Sequence, residues 1–494
     1  MMQYYIDGLM NFLTFSNILF ACIGVVIGTV LGAIPGFSGV TGIVVLLPFT
    51  FTMDPVASIV MLTAVFAAGT FGGAITATLI GVPGSPEQAP AVLDGYSLAK
   101  QGKANKAISM ALYSSVLGGI FGALCLLFLA PLVARIALWF APPEFFMLGI
   151  FGLSVIAGLD ENNMIPGIIA GLVGVLISLI GMDSETGILR FTFGSLELFN
   201  GLRMQVFILG VFAIARVIQG VAAGKIEQDT SSVKTIDYKD KVTREEYKSC
   251  NKVIAKSSVI GVIIGVIPAV GAAVAAFISY NVQKRSSKDP SEYGKGKVEG
   301  IAAPEAASSA LTCSSLIPLL TLGIPGSGGA AALLGAFMMH GLAPGPNLFR
   351  NHASIMYTIM VGLVLMNIMK FFVVKSMSWS FTSITRIPEN AMVTCLFVIC
   401  VAGAYSTVTS FFDVSVAIVV GIIVYVLTIF KFPAIPLVLG FVLGPMIESN
   451  FRRALVMGHG DPLIFVTRPV SVSLIFLTII MLYSLKRSNK KAKD

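Results

Sequence analysis

Charge is scarce in this chain. Only 12% of its 494 residues are Asp, Glu, Lys or Arg, while 56% are hydrophobic; an average soluble domain carries roughly 25% charged residues. That deficit excludes an ordinary globular enzyme. Histidine is rarer still: His340, His352 and His459 stand far apart, and no HExxH occurs, which argues against a zinc protease. No GxxxxGK[ST] is present, so the chain does not itself carry a P-loop ATP site. Cys22, Cys125, Cys250, Cys313, Cys395 and Cys400 form no CxxC and lie mostly in apolar runs, where they read as small core hydrophobes. The opening MMQYYIDGLM lacks a basic n-region, so the first apolar run is expected to stay in the mature protein.

What fills the sequence is long charge-free stretches. A membrane span needs about 20 apolar residues. These runs far exceed barrel strands of about 10 residues, and in lipid every backbone polar group must be satisfied internally, so the spans are expected to be helices. The reading is an all-α polytopic membrane protein with about 10 to 14 membrane-embedded helices, some of half length because Pro and Gly interrupt the runs. The net charge of +8 sits in short segments between spans and at the C-terminus. That is the pattern of cytoplasmic loops rather than of a nucleic-acid surface.

The most polar interior segment, residues 225–256, carries Lys225, Lys234, Lys239, Lys241, Arg244, Lys248, Lys252 and Lys256. It is expected to be a cytoplasmic connector between a first transmembrane half, 1–224, and a second, 257–494. The stretch KRSSKDPSEYGKGK (284–297) and the tail LKRSNKKAKD should face the same side, which makes the C-terminus cytoplasmic. Between Lys256 and Lys284 lie 27 residues. With both flanks on one side, the stretch is expected to enter and return as a re-entrant hairpin, with the helix breaker Pro268 at its centre.

An internal repeat is the most informative pattern. Gly28-Thr-Val-Leu-Gly32-Ala-Ile34-Pro35 returns as Gly261-Val-Ile-Ile-Gly265-Val-Ile267-Pro268, 233 residues later. Gly81-Val-Pro83-Gly84-Ser85 returns as Gly323-Ile-Pro325-Gly326-Ser327, 242 residues later. Two matches in the same order at nearly equal offsets mark the halves as two copies of one unit. If residues 16–52 also enter and return, residues 56–82 cross once, and the copies are inverted. GxxxG lets backbones approach closely, and Pro-Gly stops a helix, leaving unpaired N–H and C=O groups at its tip. Transporters built from repeats hold substrate and ions at such broken helices.

The candidate substrate region is therefore the loops holding Pro35, Gly36, Ser38 and Thr41; Pro83, Gly84 and Ser85; Pro268 and Gly271; and Pro325, Gly326 and Ser327. Half-helix N-termini there suit carboxylates, and half-helix C-terminal carbonyls suit Na⁺. In APEAASSALTCSS, Glu305, Ser308, Ser309, Thr312 and Ser315 form a polar stripe on an apolar helix, expected to line a hydrated path. The competing reading of Glu305 places Pro304 at N1 and the carboxylate on the helix dipole at the membrane surface. Asp160, Glu161, Asn162, Asn163 and Asp413 read as interfacial turns, Lys370 and Lys375 as snorkelling or helix-end residues, and Glu448 with Arg452 as an i,i+4 pair. Gly458-His459-Gly460-Asp461 matches the GxGD of intramembrane aspartyl proteases but follows Arg452 and Arg453 outside any clear apolar helix, so no catalytic residue is assigned.

Several stretches, among them PGSPEQAPAVLDGYSLAKQGKA (83–104), KRSSKDPSEYGKGKVEGIAAPEAASSA (284–310), LTLGIPGSGGAAALLGA (320–336), GLAPGPNLF (341–349) and GFVLGPMIESNFRRAL (440–455), carry a family resemblance. The sequence resembles the large membrane subunit of the tripartite tricarboxylate transporters over essentially its whole length. The resemblance implies a secondary carrier of the bacterial inner membrane that imports carboxylates on a Na⁺ or H⁺ gradient, with no cofactor. It also implies two partners, a small membrane subunit and an extracytoplasmic binding protein. Ser308 and Ser309 stand where the family usually has paired Asn, and Ala269 where it usually has Gly, so the ligand need not be citrate. The alternatives are the membrane subunit of an ATP-driven importer and an intramembrane enzyme.

Overall fold

The computed structural model describes residues 2–34, 38–137, 139–157, 164–183, 187–222, 240–267, 271–381 and 411–479. The first part of the chain forms α1 (Met2–Phe12), α2 (Phe15–Gly32), α3 (Gly39–Thr50), α4 (Pro55–Leu79), α5 (Ala89–Lys100) and α6 (Ala104–Ala137). Then come α7 (Pro142–Ala157), α8 (Met164–Ser178) and a hairpin pairing Gly181 with Arg190 and Met182 with Leu189. A π turn, Leu209–Ile214, separates α9 (Met204–Ile208) from α10 (Ala215–Ala222). Beyond the connector are α11 (Arg244–Val266), α12 (Ala272–Ser286), α13 (Val298–Ser314), α14 (Leu316–Leu322), α15 (Gly328–Met339), α16 (Pro346–Asn351) and α17 (Ala353–Ser376). The last described elements are α18 (Phe411–Ile429), α19 (Ala434–Met457), α20 (Ile464–Thr467) and α21 (Pro469–Ile479).

Among the described residues, eight helices are long and apolar enough to cross a membrane, and four shorter apolar ones accompany them. The chain is an all-α, multi-pass membrane protein, as its hydropathy implies. Helix α3 has 12 residues, about 18 Å at 1.5 Å per residue. It is too short to cross a hydrocarbon core of about 30 Å, so the run from Phe15 to Thr50 contains one long helix and one half-length helix rather than two full spans.

Contacts divide the chain into two compact units, each drawing on both sequence halves. Unit 1 comprises Met1–Ala134 and Ala223–Cys395; unit 2 comprises Arg135–Ala222 and Leu396–Asp494. Inside unit 1 the centre is made of two helices without a lipid-facing side. Every residue of α4 from Ala57 to Leu79 is buried, and so is every residue of α13 from Gly300 to Ser314. Asp54 starts α4 by accepting from the N–H groups of Val56 and Ala57, with Pro55 at the first helical position.

Glycines set how closely α2 and α11 approach these two helices. A Cβ on Gly28 would lie 2.6 Å from the Val65 carbonyl oxygen, and one on Gly32 would overlap the Gly69 carbonyl oxygen. In the second half, a Cβ on Gly261 would overlap the Ala307 carbonyl oxygen, and one on Gly265 would lie 3.1 Å from that of Leu311. Both GxxxG motifs thus turn toward the next long helix, as small-xxx-small contacts do in lipid.

The last 13 residues of the connector already belong to helix α11, begun by a capping box in which the Thr243 hydroxyl accepts from the Glu246 N–H and the Glu246 carboxylate accepts from the Thr243 N–H. Residues 223–239, with Lys225, Lys234 and Lys239, lie outside the described residues.

Unit 2 is built around α8 and α19, where Gly440 meets the Gly171 carbonyl and Gly174 meets that of Leu437. Glu448 accepts from Arg190 at 2.7 Å and from Arg452 at 2.8 Å, and Arg452 also reaches Asp183 at 2.9 Å. The i,i+4 pair is therefore part of a four-residue network. It lines a cavity of about 410 Å³ together with Asn200 and Ser449. Asp413 stands in the first turn of α18 and pairs with Arg203 at 3.1 Å. Asp160 to Asn163 lie outside the described residues.

Candidate functional site

Helices α4 and α13 bring the two Pro-Gly-Ser loops together. Helix α4 ends at Ile80 and turns through Gly81, φ +72°; helix α14, which continues α13, ends at Gly323, φ +74°. These left-handed positions require glycine at equivalent places in the repeated motif. Each loop then folds back into a narrow seat. A Cβ on Gly84 would lie 2.6 Å from Gly73 Cα and 2.8 Å from the Gly32 carbonyl oxygen. A Cβ on Gly326 would lie 2.9 Å from both Ser315 Cβ and the Ser315 carbonyl oxygen, and 3.0 Å from the Gly265 carbonyl oxygen. Gly73 precedes Ser315 by 242 residues and Gly32 precedes Gly265 by 233, the same offsets that relate the motifs.

A chain of polar contacts links the loops. Ser327 Oγ lies 3.3 Å from Ser315 Oγ, which donates to the Thr312 carbonyl at 3.0 Å. Thr312 Oγ1 meets Thr70 Oγ1 at 3.2 Å, and the Thr70 carbonyl accepts from Gln88 Nε2 at 2.6 Å. Ser85 Oγ donates to Gln88 Oε1 at 2.5 Å. The copies differ in what their serine does. Ser327 caps α15 by accepting from the Ala330 N–H, whereas Ser85 is taken by the Gln88 amide and caps nothing.

Further along the stripe, Ser309 Oγ meets Ser115 Oγ at 2.7 Å, and Ser115 Oγ accepts from Lys370 Nζ at 3.0 Å. Lys370 Nζ is also 3.4 Å from the Ala67 carbonyl oxygen and 3.5 Å from that of Ser115. Lys370 is 1% exposed. The snorkelling expectation is overturned for it, because the α17 face that carries it packs onto α4. Lys375, in the last turn of α17, is exposed as expected. Glu305 is 0% exposed, and Pro304 lies inside α13 rather than at its first position. The reading of Glu305 as a surface dipole partner therefore falls, since six residues of helix precede Pro304.

The sequence-selected positions fall into three groups. Pro83, Gly84, Ser85, Ser308, Ser309, Thr312, Pro325, Gly326 and Ser327 come together on and beside α4 and α13, with Glu305 on the same stretch of α13. Ser38 and Thr41 start α3, and Gly39 between them packs against Gly69, one residue before Thr70. Gly271 precedes α12 with φ +83°, and α12 packs on the short 3-10 turn Pro86–Gln88. Pro35, Gly36 and Pro268 lie outside the described residues.

Four participants were not selected: Thr70, Gln88, Ser115 and Lys370. Thr70 was reachable, because subtracting the loop offset of 242 from Thr312 gives it. A fifth, Asp94, is fully buried. Its Oδ1 accepts from the N–H groups of Gly294, Gly296 and Lys297 at 2.8–2.9 Å, and its Oδ2 from the Tyr280 hydroxyl at 3.0 Å. Asp94 thus locks the helix after the first Pro-Gly-Ser loop to the segment before α13. Beside it, burial pushes the Tyr293 phenol up to about 12, so it stays a donor to Glu299.

Among the described residues, no group of three or more His, Cys, Asp or Glu side chains forms a metal-binding cluster. What converges instead is hydroxyls, helix ends, the carboxylates of Glu305 and Glu87 and the ammonium of Lys370, a set suited to binding a polar solute.

The profile of the Tripartite tricarboxylate transporter TctA family matches residues 18–439. An "Uncharacterized 52.8 kDa protein in TAR-I ttuC' 3'region" of Agrobacterium vitis is 34% identical over 463 residues, covering 94% of this chain and 92% of the relative. An "Uncharacterized protein in TAR-II ttuC' 3'region" of the same organism is 37% identical over 220 residues, 44% of this chain and 91% of that relative. No solved structure matches the chain significantly. With hydropathy, motifs, helix architecture and the profile match in agreement, the chain belongs to the tripartite tricarboxylate transporter TctA family.

Proposed function

We propose that this chain is the large membrane subunit of an ion-gradient-driven importer of carboxylates, and not an enzyme. An extracytoplasmic binding protein delivers the substrate, and a small membrane subunit completes the carrier. The observation that carries this reading is the pair of Pro-Gly-Ser loops seated in matching glycine cradles and joined through Thr70 and Thr312. Helix ends beside hydroxyls present dipoles to an anion without a buried arginine.

Residues 1–224 and 257–494 are read as inverted copies joined by the 225–256 connector. Substrate and a coupling ion, Na⁺ or H⁺, bind where the broken helices meet, and one bundle moves against the other to alternate access. Pro35, Gly36 and Pro268 are assigned to the same region by their motifs. We assign the protein to the bacterial inner membrane, as its family implies, and its C-terminus to the cytoplasm, a reading its basic segments support.

Reconstituted uptake tests the reading. Proteoliposomes holding this chain and its small membrane partner, supplied with the binding protein, are given radiolabelled citrate, malate and tartrate under a Na⁺ or pH gradient without nucleotide. Accumulation of at least one supports the carrier, and a requirement for ATP sinks it.

A further inference from the structure

The interior of unit 1 holds one carboxylate without donors and one ammonium set among neutral oxygens. Both oxygens of Glu305 are buried with no hydrogen-bond partner among the described residues. Lys370 donates to the Ser115 hydroxyl and faces two main-chain carbonyl oxygens, and among the described residues no carboxylate accepts from it. Glu305 stands one turn before Ser309 on α13, and Ser309 joins Lys370 through the Ser115 hydroxyl; the turn Pro86–Gln88, which carries Glu87, also packs on α13. A buried charge is costly, so whenever Lys370 carries its proton the site calls for a negative group beside it.

We propose that Glu305 and Lys370 form a charge-compensating pair that makes the carrier take up one proton with each substrate anion it binds. This rests on the carrier reading above and names its coupling ion. In the empty carrier, ionised Glu305 balances Lys370. A proton from the aqueous phase on the loading side adds to a Glu305 oxygen, forming an O–H bond and leaving Lys370 uncompensated. The incoming carboxylate then supplies the missing charge. After access changes, the substrate departs, the O–H bond breaks, and the proton leaves to the opposite aqueous phase; nothing is oxidised or reduced. Because proton and anion each favour the binding of the other, their coupling is reciprocal.

The other titratable groups around this helix are accounted for. Cys313 lies two turns along α13 and faces Lys370. Cys250 packs against Ala302, Ala303 and Ala306. Toward the start of α13, Asp94 accepts from the Tyr280 hydroxyl and from the backbone N–H groups of Gly294, Gly296 and Lys297. Glu87 is the remaining acid that faces Glu305, and it sits on the loop that the substrate would touch.

The test uses the purified membrane complex in lightly buffered detergent with a pH-indicator dye, and citrate then malate as probes. Wild type is expected to take up protons on binding, and its affinity should fall by up to about tenfold per pH unit once the pH is high enough to ionise Glu305. Glu305→Gln should bind with no proton uptake and a flat pH profile, and Glu305→Asp should restore both. In proteoliposomes, Glu305→Gln should retain counterflow and lose accumulation driven by a pH gradient. Lys370→Gln should lose tenfold or more in affinity, whereas Lys370→Arg retains binding.

Proton uptake by Glu305→Gln equal to wild type overturns the pair, as does wild-type binding with no proton movement or accumulation on a Na⁺ gradient with pH-independent binding. Wild type that binds neither probe and transports no carboxylate overturns the carrier reading itself, and the pair with it. Monodisperse elution of each variant separates loss of function from loss of fold.

Discussion

Thr70 and Thr312 touch hydroxyl to hydroxyl at 3.2 Å, 242 residues apart in sequence. That separation equals the offset between the two Pro-Gly-Ser loops, so the contact joins equivalent positions of the repeated motif. Thr312 Oγ1 lies 2.9 Å from the Ser308 carbonyl oxygen, whereas Thr70 Oγ1 lies 3.3 Å from that of Phe66. The shorter distance favours Thr70 as donor to Thr312, with Thr312 donating to the Ser308 carbonyl of its own helix. Thr70→Val removes one bond and should lower stability by about 0.5–1.5 kcal/mol. Thr312→Val should cost less than an unmade bond, because Thr70 falls back on Phe66. Thermal unfolding of both variants and the double variant in detergent gives the coupling, and additive effects would contradict a bond between the two hydroxyls.

The two loop seats differ in tightness. At Gly84 the obstructing atoms are the backbone of Gly32 and Gly73, whereas at Gly326 one obstruction is the Ser315 side chain and the distances are longer. Gly84→Ala should therefore destabilise by about 1–3 kcal/mol, the range for overpacking, and Gly326→Ala by less. Both should reduce carboxylate uptake by more than they reduce yield in the membrane. Equal melting temperatures for the two variants would mean that the first loop can yield.

Asp94→Ala strands three backbone N–H groups and the Tyr280 hydroxyl together. With about 1–3 kcal/mol for each donor left buried and unpaired, folded yield should fall sharply. Asp94→Asn keeps one carbonyl oxygen for the backbone donors, so it should retain a measurable, lower melting temperature. Fluorescence-detected size exclusion before and after heating distinguishes them.

Thr243→Ala removes the capping box at the start of α11. A lost N-cap costs about 0.5–2 kcal/mol. The effect should be local, with faster hydrogen exchange over the first turn of α11 and unchanged protection around Gly261. Protection lost along the whole helix would mean that α11 depends on its cap more than on its packing against α13.

Much of this arrangement is written in the sequence because lipid makes hydropathy informative and Gly and Pro mark the breaks. The GxxxG motifs foretold the close helix approach, and the repeated GxPGS foretold the matching loop seats. The Glu305–Thr312 spacing placed a polar face on one helix. Burial was not legible. A lysine in an apolar run reads as a helix end until the helix packed against it is known, and Lys370 lies among atoms from α4 and α6. Asp94 was hidden for the same reason, because its donors come from a loop about 200 residues away. The Thr243–Glu246 capping box was readable from T-x-x-E, but the run of lysines made the segment look like a loop throughout.

The wholly protein-wrapped α4 and α13 have a mechanical consequence. They meet at Thr70 and Thr312, two positions separated by the repeat offset of 242 residues. If the copies trade conformations during a transport cycle, this spot is the fulcrum. Spin labels near it should report almost constant spacing, while labels at the loop tips, on the ends of the levers, should swing furthest.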